Sequence, residues 1–296
     1  MKRVYSKFKE FGADLALVSV AVSWGTTFII VQDAIKDVPV FSFLFMRFFL
    51  SFLLMALFSV KYIKELSLPL VKAALFLGTL FFLGYASQTY ALLTLKSSIV
   101  AFITGLNVII VPIVVYLLFR QKVLVSSLIG AIIAAIGLWM LTGAENILDI
   151  NRGEIYALAC ATFFAVHIVY TAKLSKEYNV FLLVTVQLFV VSILALFASI
   201  YFDPFVLPKN FSPNLILALV TTVIFATVYA LFVQTYMQQF TTPAKAAIIF
   251  TMEPVSAAIF SYYYAGETLN ILQIAGGALM ISAMLISEIG SYYKRK

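Results

Sequence analysis

The chain has 296 residues, of which 63% are hydrophobic and only 11% are charged, and its mean hydropathy is +1.05. Soluble domains carry about a quarter charged residues, so this composition excludes a protein that faces water over most of its surface. The net charge of +7 would suggest nucleic acid as the partner of a soluble protein, but in an apolar chain the placement of basic residues indicates membrane topology instead.

Ten apolar segments follow one another along the chain. Each is close to the ~20 residues that a helix needs to cross ~30 Å of hydrocarbon, and none shows the alternation of a barrel strand. They lie at about 12–32, 40–60, 70–93, 97–119, 124–142, 154–174, 180–202, 214–238, 244–264 and 269–290. The sequence predicts an all-α integral membrane protein with ten transmembrane helices and no room for a soluble domain.

The first two segments each contain polar residues at depth. Trp24 is followed by a Gly-Thr-Thr sequence that predicts a break in the first helix, and helical spacing places Thr27 on the face of Trp24. These side chains either line a pathway or pack between helices. Arg47 lies about one turn outward of the centre of the second segment. It either binds a substrate carboxylate, reaches the outer interface or neutralises a structural acid.

Polar residues also mark the third and fourth segments. Gln88 and Tyr90 stand in a Gln-Thr-Tyr sequence late in the third segment, where they either line a pathway or bond between helices. Asn107 lies near the middle of the fourth, and Pro112 follows within it as a potential kink or gate. The fifth segment is rich in glycine and alanine, which allow close helix packing within the chain or in a homodimer.

The sixth, eighth and ninth segments supply the remaining candidates. His167, near the centre of the sixth, either relays protons near physiological pH or packs as a hydrogen-bonded side chain. Gln234 and Tyr236 belong to a second Gln-Thr-Tyr sequence late in the eighth. Glu253 lies in the middle of the ninth, and Pro254 after it would bend the helix. A carboxyl group is costly at this depth in the membrane, so Glu253 is expected either to belong to a transport site or to make a structural hydrogen bond.

The two halves of the chain are related by an internal repeat. An offset of 146 residues pairs the two Gln-Thr-Tyr sequences and also pairs Asn107 with Glu253, and an offset of 140 pairs Arg47 with Gln187. We therefore divide the chain into residues 1–145 and 146–296. Each half has five crossings, so the second half must be inverted relative to the first, as in secondary transporters.

Basic residues predict the orientation in the membrane. If the N-terminus is cytoplasmic, 15 lysines and arginines fall on the inner side and only 4 on the outer side. Because positive residues concentrate in cytoplasmic loops, this bias places both termini in the cytoplasm. The basic charge then attracts anionic lipid headgroups rather than nucleic acid.

Enzymatic and metal-binding signatures are missing from the sequence. The chain has one histidine and one cysteine, Cys160, with no cluster of carboxylates, so neither a metal site nor a disulfide within the chain is expected. It also has no phosphate-binding glycine-rich loop and no catalytic triad pattern. We expect no cofactor, and transport against a gradient would need an ion gradient or exchange.

The chain resembles the drug/metabolite transporter superfamily, specifically its EamA-type ten-helix exporters. The residues that carry the resemblance are Ser23 to Phe28, Arg47, Glu253-Pro254-Val255, Gly266-Glu267, Gln273 and Gly276-Gly277. The resemblance covers nearly the whole chain and implies an inverted five-plus-five architecture around a central cavity. It also implies alternating access and export of amino acids or related small metabolites.

The sequence therefore predicts a multi-pass transporter of the cytoplasmic (inner) membrane that exports such metabolites, with coupling to protons or exchange. Its partners would be the metabolite, the lipid bilayer and protons, and the chain would act as a monomer or homodimer. The alternative is a flippase or facilitator for lipid-linked or amphipathic molecules. That function would need a lateral opening between helices with a polar lining.

Overall fold

The computed structural model describes residues 2–95, 97–142, 152–203, 207–208, 211–265 and 270–293. The predicted boundary between residues 145 and 146 lies outside these ranges, as do Gly266 and Glu267. All regular structure in the described ranges is helical. The helices are α1 (Lys2–Gly25), α2 (Phe28–Asp37), α3 (Val40–Ser59), α4 (Leu68–Thr94), α5 (Ser97–Gly105), α6 (Asn107–Phe119), α7 (Val125–Thr142), α8 (Arg152–Leu174), α9 (Val180–Phe202), α10 (Pro213–Val223), α11 (Ala230–Met237), α12 (Pro243–Phe250), α13 (Met252–Ala265) and α14 (Ile271–Tyr293).

These helices form ten passages of membrane character within the described residues. Eight stretches are long and apolar enough to cross a bilayer, and two shorter apolar helices, Val125–Leu141 and Ile271–Ser287, complete the set. The order and positions of the passages confirm the fold class predicted from hydropathy. The first passage runs from Phe11 to Asp37, beyond the predicted end at residue 32, because α2 continues the path of α1.

Several passages are interrupted near their middle. The first breaks between Gly25 and Phe28, as the Gly-Thr-Thr sequence predicts. The fourth passage breaks between α5 and α6, and the ninth between α12 and α13. Pro254 explains the ninth break, since it has no N–H to donate to the carbonyl of Phe250 one turn earlier. In the eighth passage a π-helical segment, Ile224–Tyr229, joins α10 to α11.

The packing of the helices follows the internal repeat. The two most extensive helix contacts join α7 to α14 and α3 to α9, and each of these pairs consists of repeat-related helices. The first passage packs on the ninth, and the sixth packs on the fourth, which is the equivalent contact in the other repeat. This pattern is the pseudo-two-fold arrangement of an inverted repeat.

The small residues of α7 and α14 serve packing within the chain. A Cβ atom added to Gly137 would lie 2.7 Å from the carbonyl oxygen of Gly276, and one added to Gly276 would meet the backbone of Leu141. Only glycine allows the two backbones to approach so closely. The intramolecular explanation of these residues is therefore confirmed, whereas the homodimer stays a prediction.

Candidate functional site

A cavity lies at the centre of the bundle, between the two repeats. Its volume is about 50 Å³, enough for several water molecules. It is lined by Trp24, Thr27, Phe28, Val31, Arg47, Phe81, Tyr85, Gln88, Thr89, Leu92, Asn107, Phe164, His167, Ile168, Gln234, Phe250 and Glu253. Eight of the twelve residues singled out in the sequence are in this lining.

The lining repeats the internal symmetry of the chain. At the offset of 140 residues, Trp24 corresponds to Phe164 and Thr27 corresponds to His167. At the offset of 146, Gln88 corresponds to Gln234, and Asn107 corresponds to Glu253. Both halves therefore contribute equivalent positions to one shared cavity, and the chemical differences between partners give the cavity its polarity.

Arg47 brings a buried cation to this cavity. Its side chain is 3% exposed, and its Nε donates to Thr227 Oγ1 at 2.9 Å. The guanidinium carbon lies 4.6 Å from the ring centre of Tyr85 and 5.1 Å from that of Phe48. In the described part of the chain no carboxylate lies within ion-pair distance of Arg47. The guanidinium is thus held by a neutral hydroxyl and by aromatic faces.

The π-helical segment holds two cavity residues at once. The carbonyl of Ala226 accepts from Trp24 Nε1 at 3.0 Å and from Arg47 Nη2 at 3.4 Å. Trp24 also packs on Phe250, with ring centres 5.2 Å apart. The first, second and eighth passages therefore meet at one carbonyl beside the cavity.

Glu253 brings a carboxyl group to the same cavity. It is the second residue of α13, directly after the break in the ninth passage, and is half-buried. Among the described residues its carboxylate has no hydrogen-bond or ion-pair partner. Gly25 allows α1 to approach, since an added Cβ there would meet the Glu253 carbonyl. The N-terminal end of a helix favours a negative charge, and Asn107 holds the equivalent position in α6.

His167 is held by neighbours other than Glu253. Its Nε2 lies 3.1 Å from Gln187 Oε1, and the amide nitrogen of Gln187 donates to the Leu183 carbonyl at 3.2 Å. Its ring lies 4.9 Å from that of Phe81. No hydrogen bond joins His167 to Glu253 in the part of the chain that the structure describes. The proton relay between them therefore stays a prediction.

Four of the singled-out residues lie outside the lining. Tyr90 packs on Phe41 with ring centres 5.4 Å apart, and Tyr236 is 42% exposed. Each tyrosine is two residues from its glutamine, which turns it by about 200° around the helix, away from the cavity. Pro112 and Pro254 also lie outside the lining, although Pro254 accompanies the break before Glu253.

The residues that the sequence reading missed are mostly aromatic. Phe81, Tyr85, Phe164 and Phe250 complete the walls. Each lies three or seven residues from a singled-out residue, as helical spacing requires for a shared face. This periodicity would have identified them, but in a chain with 28 phenylalanines the same residue type also faces lipid.

A buried ion pair, also missed, closes one end of the bundle. Lys245 Nζ lies 2.7 Å from Asp14 Oδ2, and the two residues are 2% and 7% exposed. Asp14 stands near the start of the first passage and Lys245 near the start of the ninth. The pair therefore ties the two repeats together at the face of the bundle where these passages begin.

Comparison with known proteins agrees with this architecture. A model of the EamA-like transporter family matches the chain twice, over residues 11–143 and 151–288. A protein of Archaeoglobus fulgidus described as an uncharacterized transporter is 31% identical over 187 residues. That match covers 63% of this chain and 58% of the relative, so the chain spans less than two thirds of the relative's length.

One solved structure, titled only as the crystal structure of a protein, has the same fold. It superposes with a TM-score of 0.78 over 94% of this chain and 96% of its own, at 14% identity. The twofold family match covers nearly all of the described passages. The chain is a member of the EamA-like transporter family, a family of membrane transporters.

Proposed function

We propose that the protein is a secondary transporter that exports amino acids or related small metabolites across the cytoplasmic membrane by alternating access. The observation that carries the proposal is the central cavity, to which Arg47 contributes a cation and Glu253 a carboxyl group that does not pair with it. A zwitterionic metabolite supplies a counter-charge for each.

The energetics favour such a substrate. An isolated charge inside the hydrocarbon region costs several kcal/mol by insertion scales. Two unpaired ionisable residues at this depth therefore indicate a functional site, in which a ligand compensates the cost. A carboxylate can bind a guanidinium through two parallel hydrogen bonds, and an ammonium group can bind a carboxylate. The aromatic walls suit an apolar side chain between these two ends.

Proton coupling is assigned to Glu253. The half-buried carboxyl group stands at the break of the ninth passage and can bind either a proton or a substrate cation. If protonation and substrate binding exclude each other there, the proton gradient drives export. This scheme uses alternating access of the two repeats around the fixed cavity.

The test is transport by the purified protein in proteoliposomes, with amino-acid mixtures followed by mass spectrometry. Glu253→Gln should abolish uptake driven by a pH gradient but retain equilibrium exchange, at a lower affinity because the ammonium group of the substrate loses its counter-charge. Glu177→Gln, at an exposed position outside the cavity, is the matched control and should behave as the wild type. Unchanged pH dependence in Glu253→Gln would overturn the coupling, and no flux of any amino acid would overturn the substrate class.

A second candidate function is supported by a groove of about 570 Å³ between the first and eighth passages. Its wall is largely apolar, with the hydroxyls of Ser19, Thr26, Thr221 and Tyr229 among the lining side chains. Thr27 lines both this groove and the central cavity. Such a lateral opening suits a flippase for amphipathic molecules. However, Thr26 and Thr221 donate to backbone carbonyls of their own passages. Their hydroxyls are therefore satisfied without a hydrogen bond to a lipid headgroup.

Scrambling of a fluorescent phospholipid distinguishes the two functions. Proteoliposomes that move amino acids but not the lipid support the metabolite transporter. The reverse result supports the flippase.

A further inference from the structure

We infer that Arg47 is the binding subsite for the carboxylate of the substrate, and that the π-helical segment Ile224–Tyr229 positions it through Thr227. This inference rests on the proposed function and deepens it. It assigns one end of the substrate to one side chain. It also gives the irregular eighth passage a role that neither the family match nor the sequence reading supplies.

Arg47 has more hydrogen-bond donors than its neighbours in the structure use. A guanidinium has five N–H groups in a fixed planar fork. One bonds to Thr227 Oγ1 and another to the Ala226 carbonyl. The Tyr85 hydroxyl also lies beside the guanidinium. Even with a bond to that hydroxyl, two of the five N–H groups are left for a ligand at a side chain that lines the cavity. Because Nε is tied to the protein, the direction of the fork is set before a ligand arrives.

The positive charge of Arg47 has no counter-charge among the described groups around it. Removing a guanidinium from water is unfavourable unless a counter-charge compensates it. The groups around Arg47, a hydroxyl, a carbonyl and two aromatic rings, are all neutral. Glu253 lines the same cavity but is not within 4 Å of Arg47. The compensating anion is therefore expected to come with the ligand.

The π-helix changes the hydrogen bonding of the eighth passage next to Arg47. The N–H of Ala230 bonds to the carbonyls of Phe225 and Thr227 rather than to that of Ala226 four residues earlier. The wider turn leaves the Ala226 carbonyl accessible to Trp24 and Arg47. A regular α-helix would use this carbonyl in its own ladder. Single π turns inside α-helices are frequent at functional sites.

The repeat provides an internal comparison. Gln187 corresponds to Arg47 and bonds to His167 and to its own helix. The third passage, which corresponds to the eighth, is a continuous α-helix from Leu68 to Thr94. Arg47 lies in the first repeat and the π-helix in the second. At the equivalent described positions, Gln187 stands in place of the cation and a continuous α-helix stands in place of the π-helix.

The experiment measures binding through Trp24. The chain has two tryptophans, and Trp139 is 49% exposed on the outside of the bundle, so Trp139→Phe leaves Trp24 as the reporter in the cavity. The probes are L-phenylalanine, hydrocinnamate, which lacks the ammonium group, and phenethylamine, which lacks the carboxylate. An aromatic probe is chosen because the walls are aromatic.

Two variants in this background test the subsite. Arg47→Gln should weaken the binding of L-phenylalanine and of hydrocinnamate by about tenfold or more, the effect of losing a hydrogen bond to a charged group. The binding of phenethylamine should be unchanged. Thr227→Val should give the same pattern with a smaller loss, and Thr227→Ser should restore binding. Thr222→Val is the matched control, since Thr222 is buried on the same passage and bonds only to its own helix.

The outcomes separate the subsite from the function. If Arg47→Gln loses affinity equally for all three probes, or loses none, the carboxylate subsite is overturned. Amino-acid flux in proteoliposomes would still support the transporter in that case. Binding of none of the probes, together with no flux of any amino acid, overturns both. Selective loss of the two carboxylates establishes the subsite.

Discussion

At the scale of single residues, the pairs that break the repeat symmetry give the cavity its chemistry. Arg47 faces the π-helix whereas its partner Gln187 bonds to His167. Glu253 is acidic where its partner Asn107 is neutral. The two charges come from different halves and from positions that do not correspond. An exact duplication would have produced a cavity without this polarity.

His167 is expected to be a structural residue. Its hydrogen bond to Gln187 and its contact with Phe81 hold the ring in place without Glu253. We predict that His167→Gln keeps pH-dependent transport, whereas His167→Ala lowers the free energy of unfolding by about 1–3 kcal/mol because a buried amide loses its partner. Transport across a pH series and thermal unfolding in detergent measure both effects. Loss of the pH response in His167→Gln would instead assign the relay to this residue.

At the scale of helices, breaks and close crossings have separate causes. The breaks in the fourth and ninth passages place Asn107 and Glu253 in the first turns of α6 and α13, where the backbone N–H groups have no partner within the helix. The crossing of α7 and α14 depends instead on residues without side chains. Irregular backbone therefore serves the site, and regular glycine-rich helices form the scaffold.

Two adjacent glycines test this packing. An alanine at Gly276 would place its Cβ against the backbone of Leu141, whereas an alanine at Gly277 would have its nearest neighbour 3.8 Å away. We predict that Gly276→Ala destabilises the protein by about 1–3 kcal/mol, as overpacking does. Gly277→Ala should be neutral or stabilising by up to about 1 kcal/mol, because alanine favours helix. The unfolding temperatures of the two variants are measured in the same detergent. Equal shifts in the two variants would contradict the close crossing of α7 and α14.

At the scale of the whole molecule, the central cavity is small for a ligand site. The cavity of about 50 Å³ is smaller than the roughly 300–1,000 Å³ of typical ligand pockets. If the proposed metabolite binds in this cavity, the walls must move apart to admit it. The Asp14–Lys245 ion pair joins the two repeats at one face, so opening there must separate these groups.

Breaking this ion pair should open that face. We predict that Asp14→Asn increases the rate at which an impermeant thiol reagent labels Ser175→Cys in a Cys160→Ala background. Ser175 follows the end of α8 and is 2% exposed, so labelling requires opening. The double exchange Asp14→Lys with Lys245→Asp should restore slow labelling. Labelling at the wild-type rate in Asp14→Asn would show that the pair does not control access.

The sequence by itself determined the number and order of the passages, the duplication and most of the polar residues of the cavity. These features follow from hydrophobicity, helix length and the high cost of buried polar groups, which are local properties of a chain in a bilayer. Helical spacing also explains why Gln88 and Gln234 face the cavity and the tyrosines two residues later do not.

Only the tertiary structure decided which groups meet. The bond from Arg47 to Thr227 crosses 180 residues, and that from Asp14 to Lys245 crosses 231. The π-helical segment contains no proline or glycine from which it could have been predicted. The role of the Ala226 carbonyl follows only from its hydrogen bonds to Trp24 and Arg47. Such contacts depend on how passages from the two repeats pack, which local hydrophobicity and spacing do not encode.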